Sequence, residues 1–415
     1  MEFCDAKLDD TPRLGVIGII SADSHADHRA AIRATWLNSG GEELLARFVL
    51  RGINAASATL EEARTHGDVV LVRGEAQMRR SDGPLLSLLL WLRCATRAWP
   101  RAQHIGKADD DVWLHLRGVA SHLVAAHAAL PPQHQQLYWG LMESYHWELS
   151  SHRPQGFAFK FAGQRCNQFH RAYNRTVAGA RARRKAVESG VASYVGPFAF
   201  ARGPLYFVPA AAAAQLATSA RLADDFEATL ASTKLAAPKS NGTNAAAAAA
   251  AAAGAFVKSG KAWEDVYTGY ALTRFVETAG LAAVHAGAAI YGEGWQSGSL
   301  TSQTLIWHSG PYTKAAALVP ARIRVVHALA SAAHCDTPSP LLLHRCAAFT
   351  SCSGREWRRC LAVYNKSACP AVKLALPKIS LRNLTRARLN GGGGGGGCRD
   401  GSAVGSAEPC TTRFA

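Results

Sequence analysis

Short apolar runs alternate with helical segments through the first 110 residues, and this alternation constrains the fold more than any other feature. Residues 14–20 (LGVIGII) form a continuous apolar run, as expected for a central strand that is buried on both faces. Further apolar runs follow at 44–50 and 68–72, and segments of helical character lie between the runs. Because strand–helix–strand alternation is typical of mostly parallel sheets, the sequence predicts an α/β domain.

Three carboxylates follow the next apolar segment of this pattern. The sequence Lys107-Ala108-Asp109-Asp110-Asp111 continues a short run that begins at residue 103. Ligands gather at the carboxyl ends of strands in open α/β sheets, and adjacent carboxylates repel each other unless a cation balances them. We therefore predict a site for a hard divalent cation, although an acidic turn that caps the following helix explains the same residues.

A second acidic pair opens a helix late in the chain. Glu264 and Asp265 begin the segment EDVYTGYALTRF, which has helical character. Acidic residues at a helix N-terminus complement the helix dipole, and this structural interpretation accounts for the pair when it is considered alone.

The predicted α/β domain covers residues 14–318, and two other segments differ from it in composition. Residues 231–260 contain an alanine tract, which we interpret as a low-complexity insertion. Within 320–415 there are fourteen Lys and Arg against four Asp and Glu, and seven glycines occupy 391–397. We predict that residues 319–415 form a basic, cysteine-rich C-terminal extension with a flexible glycine-rich end.

The net charge of +16 suggests a binder of nucleic acid as one interpretation. The basic run RARRK lies at 181–185, but much of the excess charge is concentrated in the C-terminal extension, without interleaved aromatic residues. Since no known nucleic-acid-binding motif is present either, we expect no nucleic-acid partner.

Cysteine usage and sequons indicate an oxidising compartment. Seven of the ten cysteines lie beyond residue 334, and no C-x-x-C pair occurs, so paired cysteines are favoured over a structural zinc cluster. N-x-[ST] sequons begin at Asn174, Asn241, Asn365 and Asn383. No apolar stretch approaches the ~20 residues needed to span a bilayer, and Met1–Pro12 lacks the pattern of a signal peptide. We expect the lumen of the secretory pathway, with no visible signal or anchor.

Four stretches of the chain together resemble the β1,3-galactosyltransferase family, whose members are inverting glycosyltransferases of the GT-A fold. The matching stretches are RAAIRATW (29–36), KADDDVW (107–113), GPFAFARGPLYFV (196–208) and EDVYTG (264–269). Their order agrees with the family, and the resemblance covers roughly residues 14–310. It implies a GT-A type, Rossmann-like nucleotide-sugar-binding domain with a central, mostly parallel sheet.

The resemblance implies how the donor sugar is held. A Mn²⁺ ion bridging the diphosphate of a UDP-sugar acts as a Lewis acid for the departing group. By the family pattern Asp111 is a direct metal ligand, Asp109 and Asp110 hold the sugar, the ribose or metal-bound waters, and Asp109 also contributes to the metal site. His308 in LIWHSG is the candidate for a further ligand.

Other residues near these motifs are further candidates for the site. His285 and His327 are alternatives to His308 as the metal ligand. Arg29 and Arg33 lie one helical turn apart, and the resemblance places both near the uracil or the diphosphate, whereas a solvated basic helix face is the structural alternative. Lys107 is a further candidate for nucleotide-sugar binding.

The resemblance also assigns the acceptor side of the reaction. A sugar hydroxyl needs a base within hydrogen-bonding reach as it attacks the anomeric carbon. The family pattern places this base in the EDV motif, so Asp265 is the first choice and Glu264 the second. Attack from the face opposite UDP inverts the configuration and gives a β-linked product.

Several aromatic residues near the motifs are suited to stacking on sugar rings. They are Trp139, Trp147, Phe198, Tyr206 and Trp263. Residues of this kind more often belong to the core, so Trp263, next to the EDV motif, is the one that we single out for stacking.

The resemblance implies a UDP-sugar donor, with UDP-galactose favoured, and a glycan or glycoprotein acceptor. It also implies the Golgi lumen, with membrane association through an anchor that is not visible in this sequence. A catalytically inactive, glycosyltransferase-like binding or chaperone module is the alternative, and it predicts no release of UDP with any donor.

Overall fold

The computed structural model describes residues 4–39, 41–75, 82–130, 136–148, 159–160, 194–226, 264–277, 280–286, 291–293, 300–301, 303–309, 316–333 and 345–346. The strands are β1 Arg13–Ile20, β2 Leu44–Ile53, β3 Val69–Glu75, β4 Ala102–Asp109, β5 Val112–Leu114, β6 Gln136–Glu148, β7 Phe159–Lys160, β8 Tyr194–Pro209, β9 Leu281–His285, β10 Tyr291–Glu293, β11 Ile306–His308 and β12 Arg345–Cys346. The α-helices are α1 Ala26–Arg33, α2 Ser57–His66, α3 Asp82–Ala98, α4 Leu116–Ala128, α5 Ala210–Thr218, α6 Glu264–Phe275 and α7 Val319–Ala333.

The main sheet has the strand order β12-β9-β6-β8-β4-β1-β2-β3, and β7 pairs with β6 outside this path. Strands β3, β2, β1 and β4 are parallel neighbours, and β9 is parallel to β6. Strand β8 runs antiparallel to both β4 and β6. The predicted fold class is confirmed: this is an α/β domain with a central, mostly parallel sheet, consistent with a GT-A type, Rossmann-like fold.

Both faces of the sheet are covered, as the continuous apolar run at 14–20 predicts. Along β1, Val16 points into one half of the core, whereas Ile17 and Ile19 point into the other. The first half also contains residues of α3, α5 and α6, and the second contains residues of α1, α4 and α7. Alternation along a strand therefore separates two apolar layers, each filled by helices.

A small second sheet has the strand order β10-β11-β5. Strand β5 follows β4 after Asp110 and Asp111, and β11 pairs with it in antiparallel orientation. His308 is opposite Val112 in this register. Pairing between distant segments therefore brings a late histidine to the turn that carries the three carboxylates.

Helix α7 begins at Val319, the residue at which the sequence predicts the C-terminal extension to start. Its side chains Val319, Ile323 and Val326 are buried in the same half of the core as Ile32 of α1. This helix is thus packed with the α/β domain and not with a separate tail, because its apolar face completes a core layer. The chain divides into two compact units, 1–377 and 378–415, and the second lies outside the described residues.

Several sequence-based expectations also fall outside the part of the chain that the structure describes. They concern the insertion at 231–260, the glycine run at 391–397, the four sequons and the side chains of the seven late cysteines. Among the described residues, Cys4 and Cys94 form a disulfide between the N-terminal segment and α3, which the sequence did not predict. None of the described helices combines the length and apolar character that crossing a membrane requires.

Candidate functional site

The three carboxylates lie at the carboxyl edge of the sheet, where the sequence predicts them. Strand β4 runs parallel to β1, and its last residue, Asp109, is paired with Ile20 at the end of β1. Asp110 and Asp111 then form the turn that leads into β5. Because β1 and β4 end together, the loop that follows β1 and the acidic turn occupy the same edge.

Asp109, Asp111 and His308 come together as a group of potential metal ligands. One ligand atom from each residue lies within 4.8 Å of the others. His308 Nε2 is 3.3 Å from Asp111 Oδ1, and the backbone N–H of Ser309 donates a hydrogen bond to the carbonyl of Asp111. Two carboxylates and one imidazole are a donor set that suits Mn²⁺ and related divalent ions.

The other two histidines considered as ligands are engaged elsewhere. His285 Nδ1 accepts a hydrogen bond of 3.0 Å from the backbone N–H of Met142. His327 Nδ1 accepts one of 3.2 Å from the indole N–H of Trp113. Of the three, the structure brings only His308 to the carboxylates of the acidic turn.

Asp110 faces away from this group, although it lies between Asp109 and Asp111 in the chain. Its Oδ2 accepts a hydrogen bond of 2.6 Å from Ser21 Oγ and lies 2.8 Å from His25 Nδ1. The residue is 7% exposed. Asp110 is thus held by the loop between β1 and α1, and its expected contact with the sugar, the ribose or metal-bound waters stays a prediction.

Lys107 connects the acidic turn to the second acidic motif. Its Nζ lies 2.5 Å from Asp109 Oδ1 and 2.7 Å from Glu264 Oε1, and it donates a hydrogen bond of 2.9 Å to the carbonyl of Gly203. Only 1% of the Lys107 side chain is exposed. The structure therefore makes Lys107 a buried bridge between two carboxylates, whereas the sequence places it among the residues that bind the nucleotide sugar.

Asp265, at the start of α6, is oriented by two backbone N–H groups, one from β8 and one from α6. Its Oδ2 accepts a hydrogen bond of 3.1 Å from Gly203, and its Oδ1 accepts one of 2.7 Å from Val266. Burial raises the pKa of Asp265, and the neighbouring Glu264 carboxylate raises it further. Burial opposes the charged form of Glu264, but the charge and hydrogen bond of Lys107, together with backbone hydrogen bonds, lower its pKa. The two acids of one motif thus have distinct environments, which is a common arrangement in acid–base sites.

Two glycines allow these elements to approach closely. A Cβ atom on Gly203 would lie 3.0 Å from Glu264 Oε1 and 3.4 Å from both Asp109 Oδ2 and Lys107 Nζ. A Cβ atom on Gly269 would lie 2.4 Å from the carbonyl oxygen of Ala199 in β8. Gly269 therefore lets α6 pack directly on the β8 backbone. This contact fixes the position of Glu264 and Asp265, which begin α6.

The expectation that Arg29 and Arg33 both reach the nucleotide does not agree with their contacts. Arg29 is fully buried, and its guanidinium group bonds to both carboxylate oxygens of Glu62, to Ser21 Oγ and to the carbonyl of Ala22. Arg33 bonds to Glu62 and, through two nitrogens, to Asp68. The two arginines join α1 to α2 and to the start of β3. Through Ser21, Arg29 supports the position of Asp110.

The aromatic residues considered for sugar stacking are core residues where their side chains are described. Trp139, Phe198 and Tyr206 are each no more than 2% exposed. The indole N–H of Trp139 donates a hydrogen bond to His122 Nδ1, and the Tyr206 hydroxyl is 3.0 Å from Thr268 Oγ1. Trp263 and the side chain of Trp147 lie outside the described residues.

Sequence reasoning missed the residues that hold the site together. Ser21 and His25 contact Asp110, and Glu62 pairs with both arginines of α1. Ser21 has a weak sequence signal, since it follows the first apolar strand at the edge where ligands gather. For Glu62 we find no sequence signal beyond its charge.

Comparison with known proteins gives two findings. Residues 27–228 match the model of the galactosyltransferase family, and this segment includes the acidic turn and all of β8 but ends before α6. A hydroxyproline O-galactosyltransferase of Arabidopsis thaliana, GALT5, is 31% identical over 136 residues, which cover 31% of this chain and 19% of that protein. The matched segment of this chain thus spans about a fifth of the length of that relative, 19%.

Proposed function

We propose that the chain is a member of the galactosyltransferase family, whose model matches residues 27–228, and that it transfers galactose from UDP-galactose to a hydroxyl group of a glycan or glycoprotein acceptor. With a sugar acceptor, the proposed product carries a β1,3 linkage and is formed with inversion at the anomeric carbon. We further propose that the reaction depends on Mn²⁺ and takes place in the Golgi or another part of the secretory-pathway lumen.

One observation carries this proposal: Lys107 brings the two acidic motifs into a single site. Its ammonium group contacts Asp109 of the acidic turn and Glu264 of α6, which are 155 residues apart in the chain. A transferase for an activated sugar needs a site for the diphosphate and a base for the acceptor next to each other. The clustering of Asp109, Asp111 and His308 close to Asp265 meets this requirement.

The donor side of the site has a shortage of positive charge that a cation would offset. Burial raises the pKa of Asp109, and the carboxylates of Glu264 and Asp111 add to this effect against the opposing charge of Lys107. Asp109, Asp111 and His308 would hold Mn²⁺, which supplies a Lewis acid that neutralises the departing diphosphate. With such an ion bound, the departing UDP would need no general acid from the protein.

Asp265 is the residue that would accept the proton from the acceptor. As the acceptor oxygen forms a bond to the anomeric carbon, the bond from that carbon to the UDP oxygen breaks, and the hydroxyl proton moves to the Asp265 carboxylate. The bonds from the N–H groups of Gly203 and Val266 fix the orientation of that carboxylate. Its raised pKa brings it closer to neutral pH, where a general base is most effective.

Glu264 is less suited to the role of base, because Lys107 occupies it. Its Oε1 accepts a hydrogen bond of 2.7 Å from the Lys107 ammonium group, and the pKa of Glu264 is lowered. We therefore keep Asp265 as the proposed base and assign Glu264 to the positioning of Lys107.

The relative in Arabidopsis thaliana bears on the class of acceptor. The similarity to a hydroxyproline O-galactosyltransferase favours the hydroxyl of a hydroxyproline residue in a glycoprotein as a second candidate acceptor. Such an acceptor would use the same base and the same donor, since both acceptors present an alcohol that must lose one proton.

A screen for UDP release tests the proposal. The full chain is assayed with several UDP-sugars, with glycan and hydroxyproline-containing peptide acceptors, and with or without Mn²⁺. We expect release with UDP-galactose that requires both an acceptor and the metal. If the chain binds UDP-galactose in Mn²⁺ but releases no UDP with any acceptor, the inactive binding module is favoured. Full activity in excess EDTA would contradict the metal-dependent mechanism.

A further inference from the structure

A second group of potential metal ligands lies beside the acidic turn and shares no residue with Asp109, Asp111 and His308. It consists of His25, His28 and Asp110, whose ligand atoms lie within 4.8 Å of one another. His25 is the last residue of a 3₁₀ turn, and His28 lies in the first turn of α1. Residues three apart in helical structure share a face, so both imidazoles are presented to Asp110.

The two histidines each place a ring nitrogen near one oxygen of the Asp110 carboxylate. His25 Nδ1 lies 2.8 Å from Asp110 Oδ2, and His28 Nδ1 lies 3.6 Å from Asp110 Oδ1. The two imidazole rings are stacked, with centroids 4.5 Å apart and an angle of 24° between their planes. Zn²⁺ binds nitrogen and oxygen at about 2.0–2.2 Å, so tetrahedral neighbours are about 3.4 Å apart. The two observed separations, which end on different oxygens of the Asp110 carboxylate, lie on either side of this distance.

His28 supplies an independent observation that points to a ligand. Only 9% of its side chain is exposed, and its buried Nδ1 makes no hydrogen bond, since the nearest Asp110 oxygen, Oδ1, is 3.6 Å away. A buried polar nitrogen without a partner is costly, because it has lost its bonds to water. A cation between His28 and Asp110 would pair this nitrogen and balance the Asp110 carboxylate at the same time.

We propose that His25, His28 and Asp110 form a second cation site, distinct from the proposed Mn²⁺ site and selective for Zn²⁺. Two imidazoles and one carboxylate are a zinc-type donor set, whereas the first site, with two carboxylates and one imidazole, is better suited to Mn²⁺. Three protein ligands leave a fourth position for water or for a donor atom of a bound molecule.

The surroundings of Asp110 support its role as a ligand. Ser21 Oγ donates a hydrogen bond of 2.6 Å to Asp110, and Arg29 in turn donates one of 3.1 Å to Ser21. Partners of this kind orient a carboxylate ligand and hold it in place. Zn²⁺ at this position joins the acidic turn to the start of α1 and places a second positive charge next to the donor-binding turn.

Zinc titration of the metal-free full chain tests the proposal. Zinc equivalents are counted by competition with a chromophoric chelator for the wild type and for His25→Asn, His28→Asn and His308→Ala. His66→Ala is the matched control, since His66 is an exposed histidine at the end of α2. We expect His25→Asn and His28→Asn each to lose one tightly bound equivalent, while His66→Ala loses none.

Combining variants separates the two sites. His308→Ala is expected to lose a different equivalent, so the double variant of His25→Asn with His308→Ala loses two. His25 is the main position for this test, because 40% of its side chain is exposed and its replacement leaves the core unchanged. Replacing Zn²⁺ with Co²⁺ should give visible absorption bands of a four-coordinate site that persist in His308→Ala and are lost in His25→Asn. Unchanged zinc stoichiometry and affinity in folded His25→Asn would overturn the proposal, as would loss of both equivalents in His308→Ala alone.

Discussion

The position of α6 is fixed by a contact that leaves no room for a side chain at Gly269. A Cβ atom there would lie 2.4 Å from the carbonyl oxygen of Ala199, 2.5 Å from Phe200 Cβ and 2.9 Å from Phe200 Cα. Two of these atoms belong to the backbone of β8 and cannot rotate away. Since ordinary contact begins at 3.4 Å, Gly269→Ala must displace α6 from the sheet by about 1 Å.

The displacement should lower kcat strongly while the protein loses little of its free energy of unfolding. The added methyl costs about 1–3 kcal/mol as overpacking, and replacing a helical glycine by alanine returns about 1 kcal/mol. A shift of about 1 Å in a catalytic group can lower the rate by about 10²-fold. Because α6 carries Asp265 in its first turn, we expect kcat to fall by about that factor while the protein remains folded.

The assay compares kcat at saturating donor and acceptor with the dissociation constant of UDP in Mn²⁺. The UDP constant should be nearly unchanged, because Asp109, Asp111 and His308 belong to other elements. Arg274→Ala, which truncates an exposed side chain on the same helix, is the control and should behave like the wild type. Wild-type turnover of a folded Gly269→Ala would refute the argument that close packing on β8 positions the base.

Two further predictions concern charges in the site. Lys107→Met leaves Asp109 and Glu264 without their shared cation. Because the side chains of these two carboxylates are 33% and 17% exposed, we expect the free energy of unfolding, measured in urea, to fall by about 3 kcal/mol, the lower end of the range for breaking a buried pair. A fall of less than about 1 kcal/mol, as for a surface pair, would contradict a buried bridge. Asp265 acts as a base only when it is deprotonated, and its pKa is raised above the usual aspartate value of about 3.9. We therefore expect kcat/KM at saturating Mn²⁺ to fall as the pH drops through this raised pKa. A rate profile that stays flat down to about pH 5 would show that another group is the base.

Local patterns in the sequence were sufficient to predict the sheet and the location of the acidic turn. The continuous apolar run at 14–20 requires cover on both faces, and β1 has that cover. The three carboxylates follow β4 directly in the chain, so a correct strand also places them correctly. His308 was found through the family resemblance, since only the pairing of β11 with β5 brings it to the turn.

Long-range charge pairing was not predictable in the same way. The helical spacing of Arg29 and Arg33 shows that they share a face, but it does not reveal that Glu62 on the next helix binds both of them. Likewise, Lys107 was recognised as part of a motif, whereas its contact with Glu264 depends on how α6 packs on β8. The basic composition after residue 319 concealed the apolar face of α7, which packs into the core.

The most direct test of the account compares Asp265→Asn with Asp111→Asn, each characterised by turnover and by UDP binding in Mn²⁺. We predict that Asp265→Asn lowers turnover by about 10²–10⁴-fold, the range for loss of a general base, and leaves the UDP dissociation constant nearly unchanged. Asp111→Asn should weaken UDP binding and turnover together, since it removes a ligand of the proposed metal site. Equal weakening of UDP binding by both substitutions would contradict the separation of the two roles, and an Asp265→Asn variant with normal turnover would show that Asp265 is only a helix cap.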